Sequence, residues 1–396
     1  MNTLMKVAVA TSLLTSVSST AMAEDIKLGV LLGFTGAIES LVADMGPAAE
    51  LAIKEVNDSG ALLNNSKVVA VRGDTTCTDA AVATAAAERL ITADGVKAII
   101  GGDCSGVTTA ALQNVAVPNG IVMISPSATS PALSTVEDNG LFFRTAPSDA
   151  RQGEIAADIL KENGAKKVAI TYTNNDYGKG LADSISTNFK KAGGTVTIVA
   201  AHEDGKGDYS AEIGALASAG GDVLVVAGYL DQGGRGIIQG ALDTGAFDVF
   251  YLGDGMVGPS LPAAIGADLN GSYGANPGTD SPGAKTFAGM AEKAGFKPGP
   301  FTAESYDAAA MIMLAMQAAN SSDSSKLKDK VFDIANAPGE KIYPGELAKG
   351  LGILKNGGQI DYEGASAVEL VGAGESAGNY RQIVIENEAV KAVKFR

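Results

Sequence analysis

Short apolar runs alternate with longer amphipathic segments along most of this 396-residue chain, and this alternation limits the possible folds more than any other feature. The apolar runs are continuous and rich in valine, isoleucine and leucine, as is typical of strands buried on both faces of a parallel sheet. The amphipathic segments have helical spacing, which predicts right-handed β-α-β units. The predicted strands are 26–32, 68–71, 98–101, 121–125, 141–145, 168–172, 196–200, 223–228 and 249–252.

This number of units is too large for one sheet, so the sequence predicts two Rossmann-like α/β lobes built on parallel sheets. The pattern restarts or changes at three places, near residues 146–149, 276–278 and 356–358. The predicted first lobe is 24–147 plus 277–357, and the predicted second lobe is 148–276 plus 358–396.

The first 23 residues have the composition of a secretory signal peptide. Lys6 supplies a positive charge, residues 7–17 are apolar, and the small-residue ending at 21–23 predicts cleavage after Ala23. This segment contains no cysteine, so we expect no lipid anchor. No later segment reaches the roughly 18 apolar residues that a membrane-spanning helix needs. The mature protein is expected to be soluble and exported to the periplasm.

The chain is acidic, with 45 Asp and Glu residues against 30 Lys and Arg residues and a net charge of −15. Removal of Lys6 with the signal peptide makes the mature chain one unit more negative. An acidic chain without a basic cluster argues against nucleic acid or an anionic membrane surface as a partner. Nothing in the pattern requires an assembly larger than a monomer.

Two cysteines, Cys77 and Cys104, are the only ones in the chain. In an oxidising compartment they most simply form one disulfide, and a reactive thiol or a metal-binding pair is the competing interpretation. The metal interpretation is weak because the chain has a single histidine and no CxxC spacing. That histidine, His202, begins an acidic, glycine-rich stretch and is predicted to be solvated. We expect no metal and no cofactor.

Two short motifs resemble catalytic or nucleotide-binding signatures without their context. Residues 253–258 match GxGxxG, but prolines follow in place of a clear helix, and Asp254 lies where a pyrophosphate would have to bind. We interpret this segment as a glycine-rich turn that exposes Asp254 in a cleft. Residues 374–378 match GxSxG, but no histidine follows, so we predict a surface turn rather than a hydrolase site.

Polar and aromatic residues follow several of the predicted strands at their carboxyl ends, where open α/β sheets bind ligands. The first-lobe group is Ser105, Ser127 and Thr129, and the second-lobe group is Tyr177, Tyr229 and Asp254. Hydroxyls at the start of a helix can cap it and also help to hold a small anion, so both roles remain open for Ser105. Each tyrosine taken alone is equally consistent with a packing residue.

The order and spacing of these pieces resemble the leucine/isoleucine/valine-binding family of periplasmic solute receptors, and the resemblance covers nearly the whole mature chain. The matching segments are 24–30, 34–36, 74–77, 104–105, 125–131, 143–145, 176–180, 228–229 and 253–255. The resemblance implies three crossovers between the lobes and a disulfide between Cys77 and Cys104.

The resemblance also implies a role for each candidate site residue. Ser105 and Thr129, with backbone groups of Ser127, Ala128 and Thr129, would hold the α-carboxylate of an amino acid and orient its amine. Asp254 would accept the α-ammonium, and Tyr177 and Tyr229 would close over the ligand from the second lobe. Phe301 would line the side-chain pocket.

Two further positions lie near the predicted cleft. One departs from the family pattern, and the other would add a positive charge to the cleft. Leu41 replaces an aromatic residue that often occupies the loop after the first strand, so the pocket wall is expected to differ. Arg151 either faces the cleft or is a solvated residue in the first turn of a helix.

The function implied is that of a periplasmic receptor, not an enzyme, for a branched-chain or related small amino acid. It would feed an inner-membrane ABC permease and its ATPase subunits. The alternatives are a ligand-presenting sensor, a receptor for amides or other small carboxylates, and an exported carboxylate-dependent hydrolase.

Overall fold

The structure is a computed structural model, and it describes residues 25–396. The predicted signal peptide, residues 1–23, lies outside the described residues. In chain order the strands are β1 Asp25–Leu32, β2 Lys67–Asp74, β3 Ala98–Gly101, β4 Met123–Ser125, β5 Phe142–Pro147, β6 Lys167–Thr173, β7 Thr195–His202, β8 Val223–Ala227, β9 Phe250–Leu252, β10 Tyr273–Pro277, β11 Glu340–Ile342, β12 Ile360–Tyr362, β13 Leu370–Val371, β14 Glu375–Ser376, β15 Tyr380–Glu386 and β16 Ala389–Phe395.

Helices connect most of these strands. They are α1 Glu39–Ser59, α2 Ala80–Glu88, α3 Ser105–Ala111, α4 Val117–Asn119, α5 Asp149–Glu162, α6 Asp176–Lys191, α7 Ser210–Ala219, α8 Gly233–Thr244, α9 Ser260–Ile265, α10 Pro282–Ala294, α11 Thr302–Ala319, α12 Ser324–Leu327, α13 Val331–Ala335 and α14 Leu347–Lys355. Within residues 25–396, no helix combines the length and the apolar composition needed to cross a membrane.

Two seven-stranded sheets form the centres of two lobes, and their parallel parts have the same strand order. The first sheet runs β13-β14-β5-β4-β3-β1-β2, and the second runs β16-β15-β10-β9-β8-β6-β7. The prediction of two α/β lobes is therefore confirmed. The sheets are mixed and not wholly parallel, because β13 and β14 are antiparallel to each other and β15 is antiparallel to both β10 and β16.

The last passage between the lobes lies later in the chain than the sequence predicted. Strands β13 and β14 belong to the first sheet, β14 pairs in parallel with β5, and β15 begins the final part of the second sheet. The assignment of residues 358–396 to the second lobe is therefore wrong for the part up to Ser376, and the chain crosses over residues 377–379. The glycines near residue 357 only end helix α14, with Gly357 in the left-handed region at φ 76°.

Strand β10 and helix α8 are among the elements that the sequence did not predict, because their residues lack the expected pattern. Strand β10 contains glycine and proline, and helix α8 begins Gly-Gly-Arg-Gly. Glycine lowers helix propensity, but in α8 it allows close packing. A Cβ on Gly240 would lie 2.2 Å from Ile213 Cδ1 of α7, and one on Gly236 would lie 2.5 Å from the Tyr209 ring.

A disulfide between Cys77 and Cys104 joins the loops that follow β2 and β3, with the two Cα atoms 5.2 Å apart. This pairing confirms the one implied by the family resemblance. Both cysteines are buried at the carboxyl end of the first sheet, and Cys104 directly precedes Ser105 at the start of α3. The disulfide therefore ties together the two strand-end loops that lead into the cleft.

We expect the paired substitution Cys77→Ser with Cys104→Ser to lower the free energy of unfolding by about 3 kcal/mol, because the unfolded chain regains the freedom of the closed loop. Equilibrium unfolding in urea measures this loss. Reductant should destabilise the wild-type protein to the same extent and leave the double variant unchanged. Equal stability of the two oxidised proteins would contradict the prediction.

Candidate functional site

In the first lobe, hydroxyl groups join the two loops that leave β3 and β4. Ser125 Oγ donates to the Gly102 carbonyl at 2.5 Å and accepts from Ala128 N at 2.9 Å. Ser130 N donates to Ser105 Oγ at 3.0 Å. Ser105 Oγ accepts this bond, and its own hydroxyl proton has no acceptor among residues 25–396. That proton is therefore free to be donated into the cleft.

In the second lobe, two tyrosines and an aspartate form a hydrogen-bonded group. Tyr177 lies in the first turn of α6, where Asn175 caps the helix by accepting from Gly178 N at 3.0 Å. The Tyr177 hydroxyl donates to Asp254 Oδ1 at 2.6 Å, and its ring stacks on Tyr229 with centroids 5.3 Å apart. This stacking holds both rings at the cleft surface.

The glycine-rich turn after β9 allows the Tyr177 side chain to approach the backbone of that turn closely. Gly255 N donates to both Tyr177 Oη and Asp254 Oδ1, at 3.0 Å each. A Cβ on Gly255 would lie 2.7 Å from the Gly228 carbonyl oxygen and 2.9 Å from the Tyr177 hydroxyl. The GxGxxG match therefore reflects close packing around Asp254 and not a nucleotide-binding loop.

These groups meet at a narrow cavity of about 20 Å³ between the lobes, which has room for about one water molecule. A larger ligand therefore requires the lobes to separate or the lining side chains to move. The lining residues are Ile38, Leu41, Asp103, Cys104, Ser105, Ser127 and Phe301 from the first lobe, and Tyr177, Tyr229, Asp254 and Gly255 from the second.

The structure brings six of the eight predicted ligand-binding residues to this cavity: Ser105, Ser127, Tyr177, Tyr229, Asp254 and Phe301. The other two, Ala128 and Thr129, are fully buried and do not line it. The Ala128 carbonyl accepts from Arg144 Nη1 at 3.0 Å, and the Thr129 carbonyl accepts from Asp149 N at 2.8 Å. The two backbone carbonyls are therefore engaged within the protein.

A wider groove of about 380 Å³ adjoins the cavity and also lies between the lobes. Leu41 lines both spaces, so its side chain forms the wall between them. Residues of the groove include Ser40, Asp44, Lys297 and Arg381. Leu41, where the sequence departs from the family pattern, therefore limits the length of the cavity.

Three polar side chains beside Asp254 are fully buried and lack hydrogen-bond partners: Thr129, Asp149 and Gln152. The Thr129 hydroxyl is near the Asp149 carboxyl and the Gln152 amide is near Asp254, but neither pair meets hydrogen-bonding geometry. A buried polar group without a partner costs about 1–3 kcal/mol. This cluster therefore favours any polar molecule that completes its hydrogen bonds.

Burial and mutual repulsion act on the two carboxyls of this cluster. Burial raises the pKa of Asp254, although the Tyr177 hydroxyl, which donates to it, acts in the opposite direction. The pKa of Asp149 is raised well above its usual value by burial first and then by the negative charge of Asp254. Two carboxylates in one buried site do not ionise together readily, so Asp149 is the group that retains the proton.

Sequence reasoning missed several residues of the site. Asp103 lines the cavity, and its carboxylate accepts from Gly33 N at 2.6 Å and from Thr75 Oγ1 at 2.8 Å. The position of Asp103 directly after β3 was the available signal. Ile38 and Gln152 carry no signal of their own, because only the approach of distant elements brings them to the site.

Arg151 and His202 do not line the cavity. Arg151 is about half exposed and pairs with Glu154 at 2.9 Å, so it is a surface residue of α5. The prediction that His202 is solvated is wrong: it is 1% exposed, its Nδ1 lies 2.8 Å from Thr171 Oγ1, and burial lowers its pKa to about 4. Residues 25–396 contain no group of three or more His, Cys, Asp or Glu side chains placed to hold a metal ion.

The GxSxG segment is also structural. It is not the predicted surface turn, because Glu375 and Ser376 form strand β14 of the first sheet. Glu375 pairs with the buried Arg144 at 2.5 Å. Ser148 is the N-cap of α5, and Asp149 is the first helical residue.

Two α/β lobes of equal topology, with a small cavity between them at the carboxyl ends of the strands, define a two-lobed solute-binding protein. Residues 25–335 match the model of the periplasmic binding protein family. The chain belongs to this family, and within it to the branched-chain amino acid-binding group.

Relatives of known description support this assignment. A Leu/Ile/Val-binding protein homologue from Brucella abortus is 33% identical over 76% of this chain and 80% of its own length. The Leu/Ile/Val-binding protein of Citrobacter freundii is 32% identical over 65% of this chain and 68% of its own. Members of this group are binding proteins.

Solved structures show the same fold. A leucine-binding protein from Thermotoga maritima has a TM-score of 0.77 at 24% identity and covers 93% of this chain and 98% of its own. A branched-chain amino acid-binding protein from Streptococcus pneumoniae, solved with isoleucine, has a TM-score of 0.77 at 23% identity and covers 94% and 99%. A benzoate-bound solute-binding protein from Rhodopseudomonas palustris has a TM-score of 0.74 at 18% identity and covers 94% and 96%.

The substitution Asp149→Asn should make the ligand-free protein more stable than the wild type at pH 8. Burial raises the folded-state pKa of Asp149, so its stabilising contribution is complete below the unfolded-state pKa of about 4 and is lost as the pH rises toward the folded-state value. Asparagine does not titrate. Thermal unfolding between pH 4 and pH 8 measures the difference.

The difference between variant and wild type should grow with pH and nearly vanish near pH 4. Asp158→Asn, at an exposed position of the same helix, is the matched control and should follow the wild type throughout. Parallel pH profiles for Asp149→Asn and the wild type would show that Asp149 does not titrate abnormally.

Proposed function

We propose that this protein is a periplasmic receptor that captures a small aliphatic α-amino acid, branched-chain or related, in the cavity between its lobes. It then presents the ligand to an inner-membrane ABC permease with its ATPase subunits. The observation that carries this proposal is the meeting, in one small cavity, of the Asp254 carboxylate from the second lobe with hydroxyls of the first. The family membership and the described relatives support it.

The polar end of the cavity suits a zwitterion. Asp254 Oδ1 is already occupied by Tyr177 and Gly255, whereas Oδ2 accepts no hydrogen bond of standard geometry from residues 25–396 and is available to an ammonium group. The Thr129 hydroxyl is unpartnered but does not line the cavity, so Asp254 is the ammonium acceptor. The Ser105 hydroxyl at the start of α3 suits a carboxylate. The Ser127 hydroxyl donates to the Asp103 carbonyl at 3.2 Å, so it reaches a ligand carboxylate only by turning away from that bond.

The apolar end of the cavity suits a short, branched side chain. Ile38, Leu41 and Phe301 are 4–5% exposed and form this end with the Tyr229 ring. Leu41 closes it toward the wider groove. Leucine, isoleucine and valine match this chemistry, and their side chains fit once the lobes separate enough to admit them.

The fold alone does not select this ligand class, since a neighbour of the same fold was solved with benzoate. Benzoate carries no cation. In this chain a ligand without a cation would leave the buried Asp254 carboxylate unpaired, and an unpaired buried charge is strongly unfavourable. Asp254 therefore favours amino acids over simple carboxylates.

Calorimetric titration of protein refolded free of carried-over ligand tests the proposal. We expect leucine, isoleucine or valine to bind one-to-one with a Kd near micromolar, or about −8 kcal/mol. The hydroxy acid analogue of leucine, which lacks the ammonium group, should bind at least roughly 100-fold more weakly. The absence of measurable binding for every α-amino acid would refute the proposal.

The substitution Asp254→Asn should weaken leucine binding by roughly 30- to 1000-fold, because the ammonium loses its charged partner. It should also abolish the preference for leucine over its hydroxy acid analogue. Asp268→Asn, at an exposed position of the same lobe, is the matched control. If Asp254→Asn bound leucine as the wild type does, Asp254 would not be the ammonium partner.

The substitution Leu41→Ala should join the cavity to the adjacent groove and relax the limit on ligand size. We expect phenylalanine to gain affinity relative to leucine by roughly tenfold, since one large apolar side chain no longer blocks the space. Leu51→Ala, at a half-buried position later in the same helix, controls for loss of stability. An unchanged ratio of phenylalanine to leucine affinity would place the limit on size elsewhere.

A further inference from the structure

Helix α1 begins at the cleft without a capping side chain of its own. Its N-cap residue is Ile38, which has no side-chain acceptor for the free amides of the first turn. Some other helices are capped locally, such as α2 by Asp79, α5 by Ser148 and α6 by Asn175, whereas several are not. In the first turn of α1, Glu39 N and Leu41 N donate to backbone carbonyls, which leaves Ser40 N to be satisfied by a carboxylate at the positive end of this 21-residue helix.

That carboxylate comes from the other lobe. Asp231 follows β8 in the second lobe, and its Oδ2 accepts from Ser40 N, in the first turn of α1, at 2.9 Å. The residues are 191 positions apart in the chain. Asp231 is therefore a helix cap that forms only when the two lobes are together.

Neighbouring hydrogen bonds fix this contact. Asp231 N donates to the Ala37 carbonyl at 3.3 Å, and the hydroxyls of Ser40 and Ser260 lie 3.0 Å apart across the lobes. Ser260 Oγ donates to Asp231 Oδ1 at 3.1 Å within the second lobe and orients the carboxylate. Asp231 does not line the ligand cavity, whereas Ile38 and Leu41 beside the capped turn do.

We propose that Asp231 is a positioning residue that caps α1 across the cleft and thereby sets the free energy of lobe closure, independently of the ligand side chain. This inference rests on the proposed receptor function. Opening the lobes separates Asp231 from Ser40, so the cap stabilises the closed state alone. Apparent affinity scales with the fraction of binding-competent protein, so loss of the cap weakens every ligand by one factor.

The substitution Asp231→Ala should weaken leucine, isoleucine and valine binding by the same factor, roughly three- to thirtyfold, mainly through faster dissociation. The order of the three affinities should not change. The unfolding midpoint of the ligand-free protein should stay near that of the wild type. Calorimetry, stopped-flow dissociation and urea unfolding measure these three quantities.

The matched control is Asp79→Ala, which removes a cap inside the first lobe. Asp79 accepts from Ala81 N at 2.9 Å and from Val82 N at 3.1 Å. This variant should lower the unfolding midpoint and leave ligand affinity unchanged, the reverse of Asp231→Ala. Asp231→Asn should recover part of the lost affinity, because asparagine also caps helices well.

Affinity that is unchanged in Asp231→Ala would overturn the proposal, as would a change in the order of the three ligands. A loss of stability equal to that of Asp79→Ala, with unchanged dissociation rates, would show an ordinary structural role and overturn it as well.

A ligand-independent measurement separates this inference from the proposed function. In a Ser40→Cys, Ser260→Cys background the two thiols would be close enough to form a disulfide only in the closed state. Adding Asp231→Ala should slow disulfide formation several-fold in ligand-free protein. Equal rates would overturn the cap, whereas failure of the wild type to bind any amino acid would overturn only the receptor function.

Discussion

The Asp254 carboxylate is buried between two lobes, and the arrangement around it follows from the need to stabilise that charge. The Tyr177 hydroxyl and Gly255 N satisfy one oxygen. This requires a glycine at 255, because a side chain there would collide with Tyr177 and with the Gly228 carbonyl. The Tyr177 ring in turn is held by stacking on Tyr229. The second oxygen is left for a cation, which the protein itself does not supply.

The free energy of lobe closure depends on the buried polar groups that lack hydrogen-bond partners. When the lobes meet without a ligand, the Thr129 hydroxyl and the Asp149 and Gln152 side chains are buried without partners. Each such group opposes closure. None of the three lines the cavity, so a ligand acts on them through Asp254: an ammonium group there would offset the Asp254 charge that bears on Asp149. The same polar cluster that destabilises the empty closed form therefore makes closure depend on the ligand.

Much of the fold was predictable from the sequence because its signals are local. The continuous apolar runs identified nine strands of the two sheets, and their polar carboxyl ends identified Asp254, Tyr177 and Ser105 as neighbours. Helix α8 and strand β10 were not predicted, because their glycines and proline are explained only by packing against other elements. Helix α1 begins at Glu39 and continues through Pro47, a residue that normally indicates a boundary.

The parts of the site that were missed depend on long-range contacts. The final lobe crossing was placed too early because a glycine turn after α14 looks the same in sequence whether or not the chain changes lobes. Ile38 reaches the cavity only through the position of α1. Asp231 carries no motif, and its role follows from Ser40, which is 191 residues away. Sequence patterns predict which face of an element is buried but not which distant residue covers it.

Two aspartates of the second lobe have separate roles in the proposed binding mechanism. In the proposed receptor, Asp254 faces the ligand, so its free energy of interaction differs between an amino acid and a molecule without a cation. Asp231 faces the protein, and its contact with α1 is the same whatever the cavity holds. Discrimination between ligands depends only on differences in binding free energy, so a constant closure energy cancels from it. Substitutions at Asp231 can therefore shift affinity over a wide range while the selectivity set by Asp254 and Leu41 is retained.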